Sequence, residues 1–195
     1  MKRLLFVILF MLPAVFAAAA LTRPPKVYNV DYWIANVKGG VSYPIGEFAN
    51  HVTPGYNFGI SARKGFDMEF SAGGGFSFIS VPYKAETAPD NFSASVVDAE
   101  LAWAPYLPDF FVWPYLKAGV GMYIMKYAKQ KDMTTVEMTS ETSFGLIFGV
   151  GANYPITKMF AANLEALYNH VSLAGGTGDL NTFLTIDLGV TIFLK

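Results

Sequence analysis

The chain has 195 residues, of which 15% are charged and 16% aromatic, with a net charge of −1, no cysteine and a mean hydropathy of +0.34. That length suits a single domain with a substantial interior. The near-neutral balance provides no basic stripe for nucleic acid, and the lack of cysteine rules out a disulfide framework and a thiolate metal site.

The chain opens "MKRLLFVILFMLPAVFAAAA": a basic start at Lys2 and Arg3, an apolar run from Leu4 to Leu12, Pro13, then small residues. This layout predicts a secretory signal peptide over 1–20, cleaved after Ala17, Ala19 or Ala20. Residues 21–31 then form a Pro-containing lead on the periplasmic side, and 32–195 the folded domain. Beyond the leader no stretch is continuously apolar for the length of a spanning helix.

From Tyr32 onward the chain alternates apolar and polar residues between Pro, Gly, Asn and Asp punctuation, which predicts strands over 32–43, 55–64, 66–79, 94–105, 111–126, 142–154, 159–170 and 182–194. The connections alternate in kind. Long ones such as "YPIGEFANHVTP" and "YAKQKDMTTVEMTSE" interleave with tight ones such as "KGF" and "YPITKM". The expected fold is therefore all-β, an eight-stranded antiparallel up-and-down transmembrane β-barrel, with short turns and both termini on one side and long loops on the other.

The two faces of each strand differ. In the last one, Leu184, Ile186, Leu188, Val190, Ile192 and Leu194 oppose Phe183, Thr185, Asp187, Gly189, Thr191 and Phe193. A soluble eight-stranded barrel would turn the apolar face inward. Here the polar faces are mostly Gly, Ser, Asn and Thr, which suit a narrow lumen better than a solvated coat. The apolar faces carry charge only at strand ends (Lys64, Lys126). The apolar face is thus expected to meet lipid. Trp33, Phe66, Trp103, Trp113, Tyr154 and Phe160 would form one aromatic girdle, and Tyr43, Tyr56, Phe78, Phe144 and Tyr168 the other. Pro114 belongs at the rim or at a bulge, since a closed barrel has no free edge.

On these features, and on stretches such as "VKGGVSYPIGEF", "GLIFGVGANYPI" and "IDLGVTIFL", the chain resembles the small outer-membrane β-barrels of Gram-negative bacteria, the OmpA/OmpX/OmpW-like group. The resemblance implies a place in the cell outer membrane among its lipids and lipopolysaccharide. It also implies insertion by the barrel-assembly machinery. Among the outer loops, "AKQKDMTTVEMTSE" reads as an exposed hairpin extending strands five and six, an edge on which a surface ligand could add a strand. Such barrels usually end in an aromatic residue; here Leu194 and Lys195 stand there.

Candidate chemistry falls in two places. A lumen network is expected from Lys38, Arg63, Glu69, Asp98, Glu100, Lys117, Glu165 and Asp187, with carboxylates in excess. It is either a salt-bridged plug, the favoured reading, or a narrow porin-like path for small solutes or cations. His170 and Ser172, near Asp179, are spaced as in outer-membrane lipid A deacylases, although Leu173 departs from that family's pattern. The plainer reading is a polar pair opening a Gly-rich loop. With two histidines, no cofactor or metal is expected. The function expected is non-enzymatic, in envelope structure or surface interaction.

Overall fold

The computed structural model describes residues 32–194 except 68, 85–89, 106, 108–109, 133–134 and 173–180. The predicted signal peptide and the lead segment lie outside the described residues. Eight strands form: β1 (Trp33–Ile45), β2 (Gly55–Gly65), β3 (Phe70–Val81), β4 (Phe92–Trp103), β5 (Trp113–Asp132), β6 (Thr135–Pro155), β7 (Phe160–Ser172) and β8 (Asn181–Leu194). Each pairs antiparallel with its chain neighbours, and β1 pairs with β8 from Trp33↔Leu194 to Ile45↔Thr182, closing the sheet. Among the described residues the only helix is α1 (Phe48–His51), one turn in the β1–β2 connection.

Closure requires stagger. Following paired residues from Asp187 one way leads through Gly40, Asn57, Ile79 and Ala94 to Met125. The other way leads through Glu165 and Gly151 to Tyr115, ten positions back on the same strand. A stagger of that kind tilts the strands and leaves an interior about wide enough for side chains alone.

Alternation along the strands gives a lipid-type exterior. Val37, Phe58, Val97, Val120, Phe148, Leu164 and Leu188 are all exposed, and every strand contributes to the band. Pro114 pairs with Ala152 of β6, but the β4–β5 ladder stops at Trp103↔Leu116, so its missing N–H faces no strand partner.

Four expectations change. β3 begins at Phe70, because residues 66–69 form the turn itself: the Phe66 and Asp67 N–H groups both donate to the Phe70 carbonyl, at 3.1 and 3.4 Å. Local alternation in "FDME" imitates a strand that the chain reversal forbids. The connections are also less regular than expected. Residues 104–112 make a long link on the termini side, whereas β5 and β6 continue as a protruding hairpin, pairing out to Asp132↔Thr135. Trp113 is not a girdle residue; it packs edge-to-face on Phe193, with centroids 5.7 Å apart, across the lumen end nearest the termini.

The largest change concerns the interior. Its far half is apolar: Ile79, Val81, Phe92, Val96, Tyr123, Met125, Ile147, Val171 and Phe183 form one buried cluster. Phe48 of α1 descends into it, 5.0 Å from Phe92 and 5.1 Å from Phe183. The ionic network is therefore confined to the other half.

Reversing the exterior pattern should be costly. Leu188, 69% exposed at the middle of β8, should destabilise the barrel by about 2–4 kcal/mol when replaced by arginine, read from urea unfolding in lipid vesicles.

Candidate functional site in the lumen

The near half of the lumen is built in two polar layers. Closest to the termini lies a ladder of neutral groups. Asn36 Nδ2 donates to Thr191 Oγ1 at 3.1 Å, and Thr191 Oγ1 donates to Asn153 Oδ1 at 2.7 Å. Asn163 Nδ2 reaches both Asn153 Oδ1, at 3.0 Å, and the Tyr115 hydroxyl, at 2.9 Å. Tyr115 passes the ladder to the charged layer by donating to Glu165 Oε2 at 2.7 Å.

The charged layer is a chain of alternating sign. Arg63 Nε lies 3.3 Å from Glu100 Oε1, and Lys117 Nζ lies 2.8 Å from Glu100 Oε2. The same ammonium is 3.2 Å from Glu165 Oε1, which also contacts Lys38 Nζ directly. Lys38 Nζ in turn lies 3.5 Å from Asp187 Oδ2, and Asn57 Nδ2 donates to Asp187 Oδ1 at 2.6 Å. The guanidinium of Arg63 sits over the Tyr115 ring, 5.2 Å from its centroid. All six ionic groups are buried. Buried charges are tolerated when paired in this way and hydrogen-bonded.

Glycines make the room. A Cβ on Gly151 would stand 2.3 Å from Tyr115 Cζ, so the phenol ring lies across that strand only because the side chain is missing. Gly73, paired with both Arg63 and Glu100, instead lets the backbones approach: a Cβ there would stand 2.0 Å from the Ala62 carbonyl oxygen of β2.

Of the eight residues expected in the network, six join the chain. Asp98 points into the lumen from β4, but its Oδ1 is buried with no hydrogen-bond partner and forms no ion pair among the described residues. Glu69 is displaced. It lies in the β2–β3 turn and accepts a 2.9 Å hydrogen bond from Trp103 Nε1 outside the lumen. Alternation misplaced it because β3 had not yet begun. Asn36, Asn153, Asn163 and Tyr115 were not singled out in the sequence, although their inward parity was the available signal.

His170 lies on the lipid-facing side of β7, its ring stacked 6.4 Å from that of Tyr168, and its Nδ1 is buried without a hydrogen-bond partner. Glu165 is on the opposite face of the same strand, engaged with Lys38, Lys117 and Tyr115. Ser172 is the last residue of β7, paired with Phe144, while Leu173 and Asp179 lie outside the described residues. No carboxylate among the described residues is brought to His170 in the manner a triad requires. No three His, Asp or Glu residues gather among the described residues as a multidentate metal site would need.

At the far mouth, the β1–β2 and β3–β4 connections close together over the apolar cluster. Thr53 N–H donates to the Pro82 carbonyl at 2.8 Å, and Lys84 N–H to that of His51 at 2.9 Å. Lys84 Nζ reaches the Ala49 carbonyl at 2.6 Å. The Tyr83 hydroxyl accepts from Ala128 N–H at 2.9 Å, and burial pushes its pKa above the ordinary phenol value.

Glu165 joins both lysines to Tyr115, so Glu165→Ala leaves two buried ammonium groups short of a partner. It should destabilise the barrel by about 3–5 kcal/mol in urea unfolding. Tyr115→Phe removes one neutral donor and should cost about 1–3 kcal/mol.

Known proteins place this architecture. The outer membrane protein beta-barrel domain family matches residues 4–192. Neisserial surface protein A is similar in structure, with 16% identity, a TM-score of 0.59, and 83% of this chain and 96% of that one covered. OprG of Pseudomonas aeruginosa is 13% identical, with a TM-score of 0.54 over 88% and 98% of the two chains. The attachment invasion locus protein Ail of Yersinia pestis is 17% identical, with a TM-score of 0.51 over 85% and 99%. No curated protein matches the chain in sequence. With the family matched over nearly the whole length and a closed eight-stranded barrel wrapped in apolar side chains, the chain belongs to the outer membrane protein beta-barrel domain family and is a protein of the bacterial outer membrane.

Proposed function

We propose that this protein is a non-enzymatic outer-membrane barrel whose lumen is closed to solutes, and that it acts through envelope structure and its outer surface. The termini face the periplasm, the far mouth faces outward, and the exterior band meets outer-membrane lipid and lipopolysaccharide after insertion by the assembly machinery. Residues 1–20 are the signal peptide that delivers it.

What supports this reading is the succession of buried layers along the lumen. From the periplasmic end come the Trp113–Phe193 pair, the Asn/Thr ladder, the ionic chain, the apolar cluster and Phe48. A hydrated solute would have to break buried ion pairs and then cross an apolar layer. Each step is unfavourable by several kcal/mol. Among the described residues no acid is brought to His170, which favours the plain surface reading over a lipid A hydrolase.

The outer surface supplies the second half of the proposal. Tyr127 to Asp132 extend past the last β4 pair, Ser93↔Lys126, and Thr135 to Ser143 extend past the last β7 pair, Phe144↔Ser172. A two-stranded extension of this kind presents backbone edges on which a partner strand can be added.

Two experiments test these parts. Vesicles carrying the folded barrel should swell in sugar or amino-acid solutions no faster than protein-free vesicles; faster swelling would make it a channel. Shortening the hairpin by removing 128–139 should leave a folded barrel but reduce attachment of expressing cells to protein-coated surfaces. Unchanged attachment would remove the hairpin from the proposal.

A further inference from the structure

Four buried side-chain oxygens near the centre of the barrel have no hydrogen-bond partner among the described residues: Ser42 Oγ, Asn57 Oδ1, Thr185 Oγ1 and Asp187 Oδ2. They belong to three adjacent strands. Ser42 pairs directly with Thr185, and Gly40 with both Asp187 and Asn57, so the four line two successive inward rows of β8, β1 and β2. The Cβ atoms of inward side chains so related stand roughly 5–8 Å apart, so the oxygens they carry border one recess. Gly40 lets β1 approach β8 closely beside this row: a Cβ there would lie 1.9 Å from the Ile186 carbonyl oxygen and 2.7 Å from Asp187 Oδ1. All four residues are more than nine-tenths buried.

The orientation of the oxygens is determined by the ionic chain. Asn57 commits its Nδ2 to Asp187 Oδ1, which turns its own carbonyl oxygen away from that bond. Lys38, one inward row nearer the periplasm on β1, approaches Asp187 Oδ2 only to 3.5 Å. On the outward side the rows end under Phe183, against which Phe48 packs. The recess is thus an all-oxygen cluster between a charged layer and an apolar one. Buried oxygens of this kind require a partner.

Charge points to what the partner is. Within the strands Lys38, Arg63 and Lys117 face Asp98, Glu100, Glu165 and Asp187, three cations against four carboxylates. Glu141, the other inward acid, lies at the outer rim and is bonded by the Tyr127 hydroxyl, at 2.7 Å. Asp98 is the unpaired carboxylate and only half-buried, and the surplus of negative charge it leaves favours a positive ion in the lumen. A single carboxylate joined by two hydroxyls and an amide oxygen is too weakly anionic for calcium, which collects several carboxylates.

We propose that Ser42, Asn57, Thr185 and Asp187 bind one monovalent cation, sodium or potassium, inside the barrel. The ion completes the charge of the lumen and satisfies the orphaned oxygens, so it is a structural component of the fold rather than a solute in transit.

The test is urea unfolding of the full barrel in lipid vesicles at constant ionic strength, with sodium or potassium chloride exchanged for N-methylglucamine chloride. The unfolding midpoint of the wild type should rise with at least one of the small cations. In Thr185→Val and Ser42→Ala the midpoint should no longer respond, and Asp98→Asn should shrink the response by removing the surplus charge. An identical wild-type midpoint in all three salts overturns the proposal, because buried water would satisfy the oxygens with no such dependence. Full retention of the response in both Thr185→Val and Ser42→Ala overturns it as well. If neither variant folds, the sodium-23 line width of wild-type vesicles decides: broadening beyond protein-free vesicles, reversed by potassium, supports the site, and its absence refutes it. An infrared band of a protonated carboxyl that vanishes in Asp98→Asn would show that a proton supplies the missing charge, which also refutes it.

Discussion

Everything inside this barrel depends on the alternating chain of buried charges from Arg63 through Glu100, Lys117, Glu165 and Lys38 to Asp187. Eight staggered strands leave a lumen about one side chain wide on each side. A charge placed there has no water to fall back on and must find its opposite across the barrel. The chain ties β1, β2, β4, β5, β7 and β8 together through side chains, independently of the backbone ladders. Glycines accommodate it: Gly151 leaves room for the Tyr115 ring, and Gly73 and Gly40 let neighbouring backbones approach beside Arg63 and Asp187.

The layers on either side answer to the same constraint. Towards the termini, neutral amides and hydroxyls soften the transition from charge to the Trp113–Phe193 pair. On the outward side the barrel turns to hydrocarbon, with Tyr123 as the joint: its ring packs in the apolar cluster while its hydroxyl bonds Asn169 Oδ1 at 2.9 Å. Phe48 closes that cluster from above, held by the cross-loop bonds of Thr53 and Lys84. The interior is thus layered from polar to apolar along its length, while the exterior is the apolar band of a membrane protein.

Much of this was legible in the sequence, for a physical reason. Period-two alternation is imposed by strand geometry, so the opposition of Leu188 to Asp187 and Gly189 already states which residues share a face. The six ionic residues follow from parity alone. What parity does not state is depth along the strand. Ile79, Met125 and Phe183 have inward parity like Lys38 and Asp187, yet they lie in the outer half, where the lumen is mainly apolar. Trp113 was misread because an aromatic near a strand end suits a girdle and a lumen floor equally well. Glu69 was misread because alternation runs through the turn after Gly65. Which cation meets which carboxylate is decided by the stagger, a property of the closed sheet and of no single strand.

The central claim is that paired charges and apolar packing close the lumen. Single-channel recording of the folded barrel in a planar bilayer addresses it most directly, with wild type beside Lys117→Ala and Glu100→Ala. The account predicts a silent wild-type barrel. Steady cation-selective steps in the wild type, altered in size by either substitution, would contradict it, because they would place a conducting path along the very residues held here to seal it.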